Sequence, residues 1–303
     1  MDMAPLYQGL TQPDWESRIA FFRESHSPCQ LCPRRCGADR GNDKPGICQA
    51  AQKVKIASFS LHFGEEPPIS GYQGSGTIFF SGCTLKCCFC QNFPISQFFN
   101  GEYYDICQLV DIMLHLQKKG AQNINLVSPT PYLYHFVEAL YAASKRGLNI
   151  PIVYNTSGYE RIDIIQYLKD LVDIYMPDFK YYDNKIALQF SGVKNYVENA
   201  RDSISEMFSQ VGKLVLDSEG RGTRGLLIRH LILPGQVQDS KDVLKTIAED
   251  GLNDSYLSLM SQYFPAYQAA DTVINQRITA EEYREVKQYA LKLGFAKGWF
   301  QDV

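Results

Sequence analysis

The sequence predicts an α/β fold, specifically an incomplete (β/α)6 barrel with a Cys-rich N-terminal extension. Two observations favour it: short apolar runs alternate with helical segments from about residue 76, and the runs are apolar along their whole length. Such strands are buried on both faces, as in a parallel sheet with crossover helices. Six units fit an open barrel better than the complete eight-unit one, but a doubly wound sheet shares this periodicity and remains an alternative. The runs cover residues 77–81, 124–127, 152–154, 172–176, 226–232 and 256–260.

The N-terminal part has a different composition. Residues 13–24 predict a short amphipathic helix, because Pro13 and Asp14 are start signals and apolar side chains recur on one side. Residues 28–50 are rich in Cys, Pro, Gly and Arg and show no apolar period. A segment of this kind cannot build a core by itself.

The remaining elements follow in chain order. Alternating apolar residues predict a strand over 53–63, Pro and Gly predict a loop over 64–76, and a hairpin insertion is expected within 211–225. We therefore divide the chain into a Cys-rich metal-binding extension, residues 1–75, and a partial barrel, residues 76–303. The predicted helices lie near 105–119, 131–146, 160–170, 194–210, 240–250 and 279–293.

Composition excludes several classes of protein. The 303 residues are 45% hydrophobic with a net charge of −3, which rules out a disordered chain. A nucleic-acid partner is not expected, because 30 basic residues face 33 acidic ones. No apolar stretch reaches the length of a membrane span, and the N-terminus lacks the pattern of a secretory signal. We expect a cytoplasmic protein without a membrane partner.

The nine cysteines are concentrated in one part of the chain. Eight lie before residue 91, and the last, Cys107, is followed by 196 residues without another. A disulfide scaffold would spread its bridges over the fold, and disulfides rarely persist in a reducing compartment. The distribution indicates metal binding or catalysis instead.

Cys83, Cys87 and Cys90, called the triplet below, have the spacing C-x3-C-x2-C directly after a predicted strand. Loops that follow barrel strands carry the chemistry in folds of this kind. Three thiolates on a tight loop suit a soft metal centre, and in a four-iron cluster they leave one iron open. The alternatives are a zinc loop or free buried cysteines, but structural zinc usually has four ligands.

The triplet, with Phe89 before its last cysteine, resembles the motif of the radical S-adenosylmethionine (SAM) superfamily. Cys90-Gln91-Asn92 resembles, more narrowly, the uncharacterised branch related to pyruvate formate-lyase activating enzymes. The resemblance extends from about residue 28 to the C-terminus. It includes the segments VSPTP (127–131), PIVYNTSGYE (151–160), DIYMPDFK (173–180), LIRHLILPG (227–235) and LMSQY (259–263).

This resemblance implies a mechanism and partners. The open iron of a [4Fe-4S] cluster would bind SAM, and one electron would cleave it to methionine and a 5′-deoxyadenosyl radical that abstracts a hydrogen. The electron would come from a donor such as flavodoxin or ferredoxin. The first hypothesis is an oxidoreductase that activates a glycyl radical protein, and the second is an epimerase or mutase of a small molecule. A non-catalytic metal-binding scaffold is the third.

Four residues are expected near SAM from their places in these segments. Ser128 and Thr130 stand where the superfamily often has glycines and a glutamate, so carbonyl groups and the Thr130 hydroxyl would hold the amino group. Asn155 would bond the ribose or carboxylate, and Phe89 would pack near adenine. The alternatives are helix capping for Ser128 and Thr130, a turn for Asn155 and ordinary packing for Phe89.

Two further strand ends supply charged candidates. Asp178 and Lys180 form an Asp-x-Lys that resembles the one beside SAM in the activating enzymes, and Lys180 would pair with the methionine carboxylate. Arg229 and His230 interrupt an apolar strand, so one of them should point into the barrel. We expect His230 to contact SAM or substrate and Arg229 to be a structural anchor. Lys180 and His230 are thus the candidate catalytic residues. The alternatives are a surface ion pair for Asp178 and Lys180 and an ordinary core histidine for His230.

Cys29, Cys32, Cys36 and Cys48, called the quartet below, have the spacing C-x2-C-x3-C-x11-C. Four soft ligands in a segment without a core indicate a metal that supplies folding energy. Zinc and an auxiliary iron–sulfur cluster both fit, because thiolate count does not distinguish them. Cys88 and Cys107 are left over as expected non-ligands.

Overall fold

The computed structural model describes residues 3–301, so Met1 and Asp2 of the predicted extension and Asp302 and Val303 of the predicted barrel lie outside the described residues. Within this range one sheet runs in the order β10-β9-β8-β6-β5-β4-β2-β1-β3, and β7 pairs with β8 off this path. The strands are β1 (Val54–His62), β2 (Ser75–Phe80), β3 (Glu102–Tyr104), β4 (Ile124–Val127), β5 (Ile152–Thr156), β6 (Ile174–Pro177), β7 (Val215–Leu216), β8 (Gly222–Leu231), β9 (Tyr256–Met260) and β10 (Gly298–Phe300).

The sheet from β2 through β4, β5, β6, β8 and β9 is parallel, as the apolar runs predict. These strands follow chain order without the reversal that defines a doubly wound sheet. The two ends, β3 and β10, lie at opposite edges, so the sheet does not close. The prediction of an incomplete barrel is confirmed, and β10 extends it with one further parallel strand that the sequence did not indicate.

Helices cover the sheet between the strands, and most match their predicted positions to within a few residues. The sequence did not indicate α7 (Asn184–Ser191). It follows the N-cap residue Asp183, whose side chain accepts a hydrogen bond from Lys185 N, and it is followed by the C-cap residue Gly192. Within residues 3–301, no helix combines the length and apolar character needed to cross a bilayer. The helices are α1 (Gln12–His26), α2 (Pro67–Ser70), α3 (Phe93–Ser96), α4 (Ile106–Lys118), α5 (Leu133–Lys145), α6 (Ile162–Tyr167), α7 (Asn184–Ser191), α8 (Tyr196–Val211), α9 (Val237–Glu249) and α10 (Ala280–Lys292).

The N-terminal part packs directly on the barrel. Strand β1 pairs antiparallel with β2 and so continues the sheet across the predicted boundary at residue 75. Trp15 of α1 is buried, with its ring 5.3 Å from that of Tyr141 on α5. The hairpin expected within 211–225 is present as β7 and the start of β8. The division into 1–75 and 76–303 stays a prediction about folding units.

Candidate functional site

The carboxyl ends of the parallel strands surround a cavity of ≈350 Å³, called the mouth cavity below. Parallel strands deliver their last side chains to one edge of a sheet, which explains why residues distant in the chain meet there. Of the predicted site residues, the mouth cavity is lined by Cys83, Cys87, Cys90, Ser128, Asn155, Asp178 and Lys180.

The triplet lies on the loop after β2, and each sulfur has a hydrogen-bonding neighbour. Cys87 Sγ lies 2.9 Å from the Ser191 hydroxyl, Cys90 Sγ lies 3.0 Å from the Ser96 hydroxyl, and Leu85 N donates to Cys83 Sγ at 3.4 Å. Burial raises the pKa of Cys83 to about 11 and that of Cys87 to about 12, so a metal must displace their protons.

Gly82 fixes the path of the chain into this loop. Its φ of +86° lies in the left-handed region, which favours glycine. A Cβ at Gly82 would also overlap the carbonyl oxygen of Cys48. The segment that carries the last quartet cysteine therefore lies directly behind the start of the triplet loop.

A network of buried charges lies opposite the cysteines. Lys180 Nζ contacts Asp178 Oδ2 at 2.5 Å, and Arg229 Nε lies 3.7 Å from Asp178 Oδ1. Arg229 also reaches Glu65 at 3.6 Å and Glu66 at 3.3 Å. Burial opposes the charge of Lys180, but Asp178 and the Cys87 sulfur outweigh it and raise the Lys180 pKa. Three carboxylates thus face two cations.

Glu65 and Glu66 were missed by sequence reasoning. They lie between β1 and α2, and Glu65 lines the mouth cavity and accepts a hydrogen bond from Asn125 Nδ2 at 3.0 Å. Burial raises the pKa of Glu65, while Arg229 opposes that rise. The available signal was an acidic pair within a Pro- and Gly-rich segment, which is more typical of an exposed loop.

Ser128 begins the loop after β4 with a φ of +58°, a conformation uncommon outside glycine, and its N–H donates to Asn155 O at 2.9 Å. Thr130 turns away from the mouth cavity and donates to Glu160 Oε1 at 2.6 Å. Thr156 donates to the same oxygen. Burial raises the pKa of Glu160 to about 7, although these hydrogen bonds oppose the rise.

Comparison with known proteins identifies the family. Residues 77–247, more than half of the chain, match the model of the Radical SAM superfamily. The chain belongs to this superfamily. It is therefore an enzyme whose family uses SAM-dependent radical chemistry.

Several individual proteins resemble this radical SAM protein. The uncharacterised protein MJ0674 of Methanocaldococcus jannaschii is 31% identical over 285 residues, covering 91% of this chain and 78% of that protein. A domain of a pyruvate-formate lyase-activating enzyme from Bacteroides vulgatus is 14% identical with a TM-score of 0.39, covering 55% of this chain and 90% of that one. SuiB of Streptococcus suis, solved with S-adenosylmethionine, is 13% identical with a TM-score of 0.46, covering 69% of this chain and 42% of SuiB.

Radical SAM proteins use a [4Fe-4S] cluster and SAM, and the triplet fits the cluster. All three cysteines are free and line one wall of the mouth cavity. Among residues 3–301, no three His, Cys, Asp or Glu side chains are arranged to hold one metal ion. A cluster is larger than an ion, and its three cysteine ligands would each bind a different iron. Three free thiols that line one cavity suit that arrangement.

His230 and Phe89 are placed differently from the expectation. His230 is buried outside the mouth cavity with Nδ1 2.7 Å from Phe179 O, and burial lowers its pKa to about 4. Its neighbour Arg229 lines the mouth cavity instead. Phe89 is buried with its ring 5.8 Å from that of Tyr263. Thr130, Phe89 and His230 therefore lie around the cavity-lining residues and not among them.

The quartet surrounds a separate, small cavity of ≈10 Å³, called the quartet cavity below. Cys29, Cys32 and Cys48 are buried and Cys36 is half-buried. Burial raises the pKa of Cys32 to about 12. All four cysteines line this one cavity, and their role as metal ligands stays a prediction.

Proposed function

We propose that the mouth cavity holds both cofactors, with Cys83, Cys87 and Cys90 as ligands of three irons. Bound there, the cluster and SAM supply a one-electron reductive cleavage of SAM followed by removal of a hydrogen atom from the substrate. The observation that carries this proposal is the meeting of the triplet with the ends of five other parallel strands at one cavity. The activity belongs to the oxidoreductases, with a flavodoxin or ferredoxin as the electron donor.

The residues opposite the triplet would orient SAM. Lys180 is the cation available to the methionine carboxylate, because Arg229 is already surrounded by Glu65, Glu66 and Asp178. Ser128 and Asn155 offer hydroxyl, carbonyl and amide groups on the adjacent strand ends. The carboxylates, in excess over the cations, favour the ammonium and sulfonium charges of SAM.

Thr130, His230 and Phe89 would support these residues from behind. Thr130 holds the loop after β4 through Glu160. His230 bonds the main chain at Phe179, between Asp178 and Lys180, and so fixes the spacing of that pair. Phe89 packs behind the triplet loop. We propose positioning roles for all three.

Hydrogen abstraction from a glycyl radical protein is the activity we favour. At ≈350 Å³ the mouth cavity lies at the low end of the roughly 300–1000 Å³ of small-molecule pockets, so SAM would occupy most of it and the reacting group of a substrate would enter from outside, as a chain segment of a partner can. Phe98, exposed beside α3, packs edge-on against Tyr267 with ring centroids 5.8 Å apart and offers an aromatic surface to a protein partner. The alternative, an epimerase or mutase, is favoured by the convergence of buried polar groups at Arg229. The nine free thiols suit a reducing, cytoplasmic compartment.

The test of the chemistry is anaerobic reconstitution with iron, sulfide, SAM and dithionite. We expect the wild type to form 5′-deoxyadenosine and methionine, and the C83A/C87A/C90A variant to form neither. Cys88→Ala is the matched control, because Cys88 lies on the same loop but does not line the mouth cavity. Equal 5′-deoxyadenosine from the wild type and the triple variant would refute the proposal.

The test of the substrate uses the active, reconstituted enzyme. A purified glycyl radical protein is added with SAM, and its radical is followed by electron paramagnetic resonance (EPR). A glycyl doublet that requires SAM and the triplet supports activation. SAM cleavage without any doublet, but stimulated by a small metabolite fraction, favours the alternative.

A further inference from the structure

The quartet cavity is lined by more residues than the four ligands that a single metal ion needs. Besides the four thiols it is lined by Leu31, Ile47, Thr84 and Thr130 and by two arginines, Arg34 and Arg40. A zinc ion with four sulfurs at about 2.3 Å is enclosed by those sulfurs alone. A cubane also exposes its own sulfides, which contact apolar side chains and N–H donors around it.

Arg40 shows that the quartet cavity requires an anionic group. Its side chain is only 2% exposed, and within residues 3–301 it forms no ion pair with a carboxylate. Nη2 instead donates to Cys48 Sγ at 3.2 Å and Nη1 donates to Pro131 O, and Nε has no hydrogen-bond partner in the described part of the chain. A buried cation without a counter-charge is costly. Four thiolates around a metal centre would supply that charge.

The quartet cavity also adjoins the triplet loop. Thr84 lines the quartet cavity, whereas its neighbours Cys83 and Leu85 line the mouth cavity. Arg34 Nε donates to Thr84 O at 2.6 Å, and this hydrogen bond links the segment that carries the quartet to the triplet loop. A single stretch of main chain therefore separates the two cavities.

We propose that the quartet holds a [4Fe-4S] cluster, balanced by Arg40, that passes single electrons to the cluster at the triplet. One electron enters the quartet cluster from a donor protein and leaves it for the triplet cluster, and no bond is made or broken at the quartet. Cys36 and Ile47 place this site near the surface, where a donor can approach. The electron-transfer role rests on the proposed function, but the identity of the cluster does not.

The first experiment isolates the quartet in the C83A/C87A/C90A variant. After anaerobic reconstitution we expect about four irons and four sulfides per chain and an EPR signal on reduction. Zinc without iron, or no metal, would overturn the proposal. If the variant does not fold, the wild type decides: about eight irons support the proposal, and about four irons with one zinc contradict it. This readout does not depend on SAM cleavage.

The second experiment changes Arg40 in the same triple variant. Arg40→Met should shift the midpoint potential of the quartet cluster to more negative values, because loss of a buried cation favours the oxidised, less negative cluster. Arg40→Lys should shift it less, and Arg35→Met, at an exposed arginine of the same segment, should not shift it. Loss of iron from Arg40→Met, but not from Arg40→Lys or Arg35→Met, also supports the role of Arg40 in balancing the cluster. An unchanged potential and iron content in Arg40→Met would overturn it.

The third experiment compares reductants with the triplet intact. In Cys36→Ser, we expect the triplet cluster to be reduced normally by dithionite but at least about tenfold more slowly by reduced flavodoxin, measured by freeze-quench EPR. Equal rates with flavodoxin in the wild type and the variant would refute electron transfer through the quartet. A wild type that takes up electrons at both sites but forms no 5′-deoxyadenosine would contradict only the proposed function.

Discussion

Glu65 Oε2 lies 3.6 Å from Arg229 Nη1, joining the loop after β1 to the end of β8. The same guanidinium reaches Glu66 and Asp178, so one arginine pairs with three carboxylates, two of which line the mouth cavity. Burial opposes the charge of Arg229, but these carboxylates outweigh it and raise the arginine's pKa. The charge balance of the site depends on this residue.

Replacing Arg229 should therefore destabilise the fold. Arg229→Met leaves buried carboxylates unpaired, and we expect a loss of about 3–5 kcal/mol in the free energy of unfolding, measured with urea on the metal-free protein. Arg201→Met is the matched control, because Arg201 forms an exposed pair with Asp250 and should lose at most about 1 kcal/mol. Equal losses in the two variants would contradict the role of Arg229.

Lys180 is expected to act on SAM binding more than on stability. Removing one charge-assisted hydrogen bond costs about 1.5–3 kcal/mol, so Lys180→Met should weaken SAM binding about 10- to 100-fold, measured by equilibrium dialysis of the reconstituted protein. Lys180→Arg should restore part of the affinity. Lys185→Met, at an exposed lysine nearby, should bind SAM like the wild type. Wild-type affinity in Lys180→Met would exclude the contact.

Because of Glu160, we expect the free energy of unfolding to fall as the pH rises. Burial raises its pKa to about 7 in the folded protein, so the folded state holds this proton where the unfolded state releases it. Stability is complete below the ordinary pKa near 4.5 and falls as pH rises toward 7, by roughly 3 kcal/mol in total. Glu160→Gln removes this pH-dependent contribution to stability, because glutamine does not titrate. The melting temperature of the wild type relative to Glu160→Gln should fall between pH 5 and pH 8, and a constant difference would contradict it.

Substitutions of Gly82 and Gly147 distinguish the cost of backbone strain from the cost of steric overlap. Gly82→Ala meets both a positive φ and the Cys48 carbonyl, whereas Gly147→Ala has a similar φ of +94° but no atom within 4 Å of the new Cβ. We expect about 1–3 kcal/mol of strain for either substitution and a further loss for Gly82→Ala. Iron content should also fall in Gly82→Ala alone. Identical unfolding midpoints and iron contents would show that the overlap is relieved without cost.

Local pattern explains what could be predicted from the sequence. The apolar runs become parallel strands because burial on both faces leaves a continuous apolar segment, and the triplet reaches the mouth cavity because its loop directly follows β2. Asn155 and Asp178 also lie where their strands end. In each case the deciding information lies within a few residues of the chain.

Non-local contacts explain the differences. Glu65 reaches the mouth cavity because β1 adds antiparallel to the sheet, a pairing that no short-range pattern reports. Arg229 lines the mouth cavity and His230 does not, because side-chain alternation predicts that one of the two faces inward but not which one. Thr130 turns toward Glu160, a partner 30 residues away.

The triplet loop is held by main-chain hydrogen bonds that involve no sulfur. Lys86 N donates to Ser191 O at 3.0 Å, Cys88 N donates to Phe190 O at 2.9 Å, and Cys88 O accepts from Gln268 N at 2.8 Å. These bonds do not depend on the thiols, so we expect the loop to keep its shape with or without the proposed cluster. Loss of that cluster to oxygen would then remove iron but leave the loop that receives it. Reloading would require iron, sulfide and reductant, and no refolding of the chain.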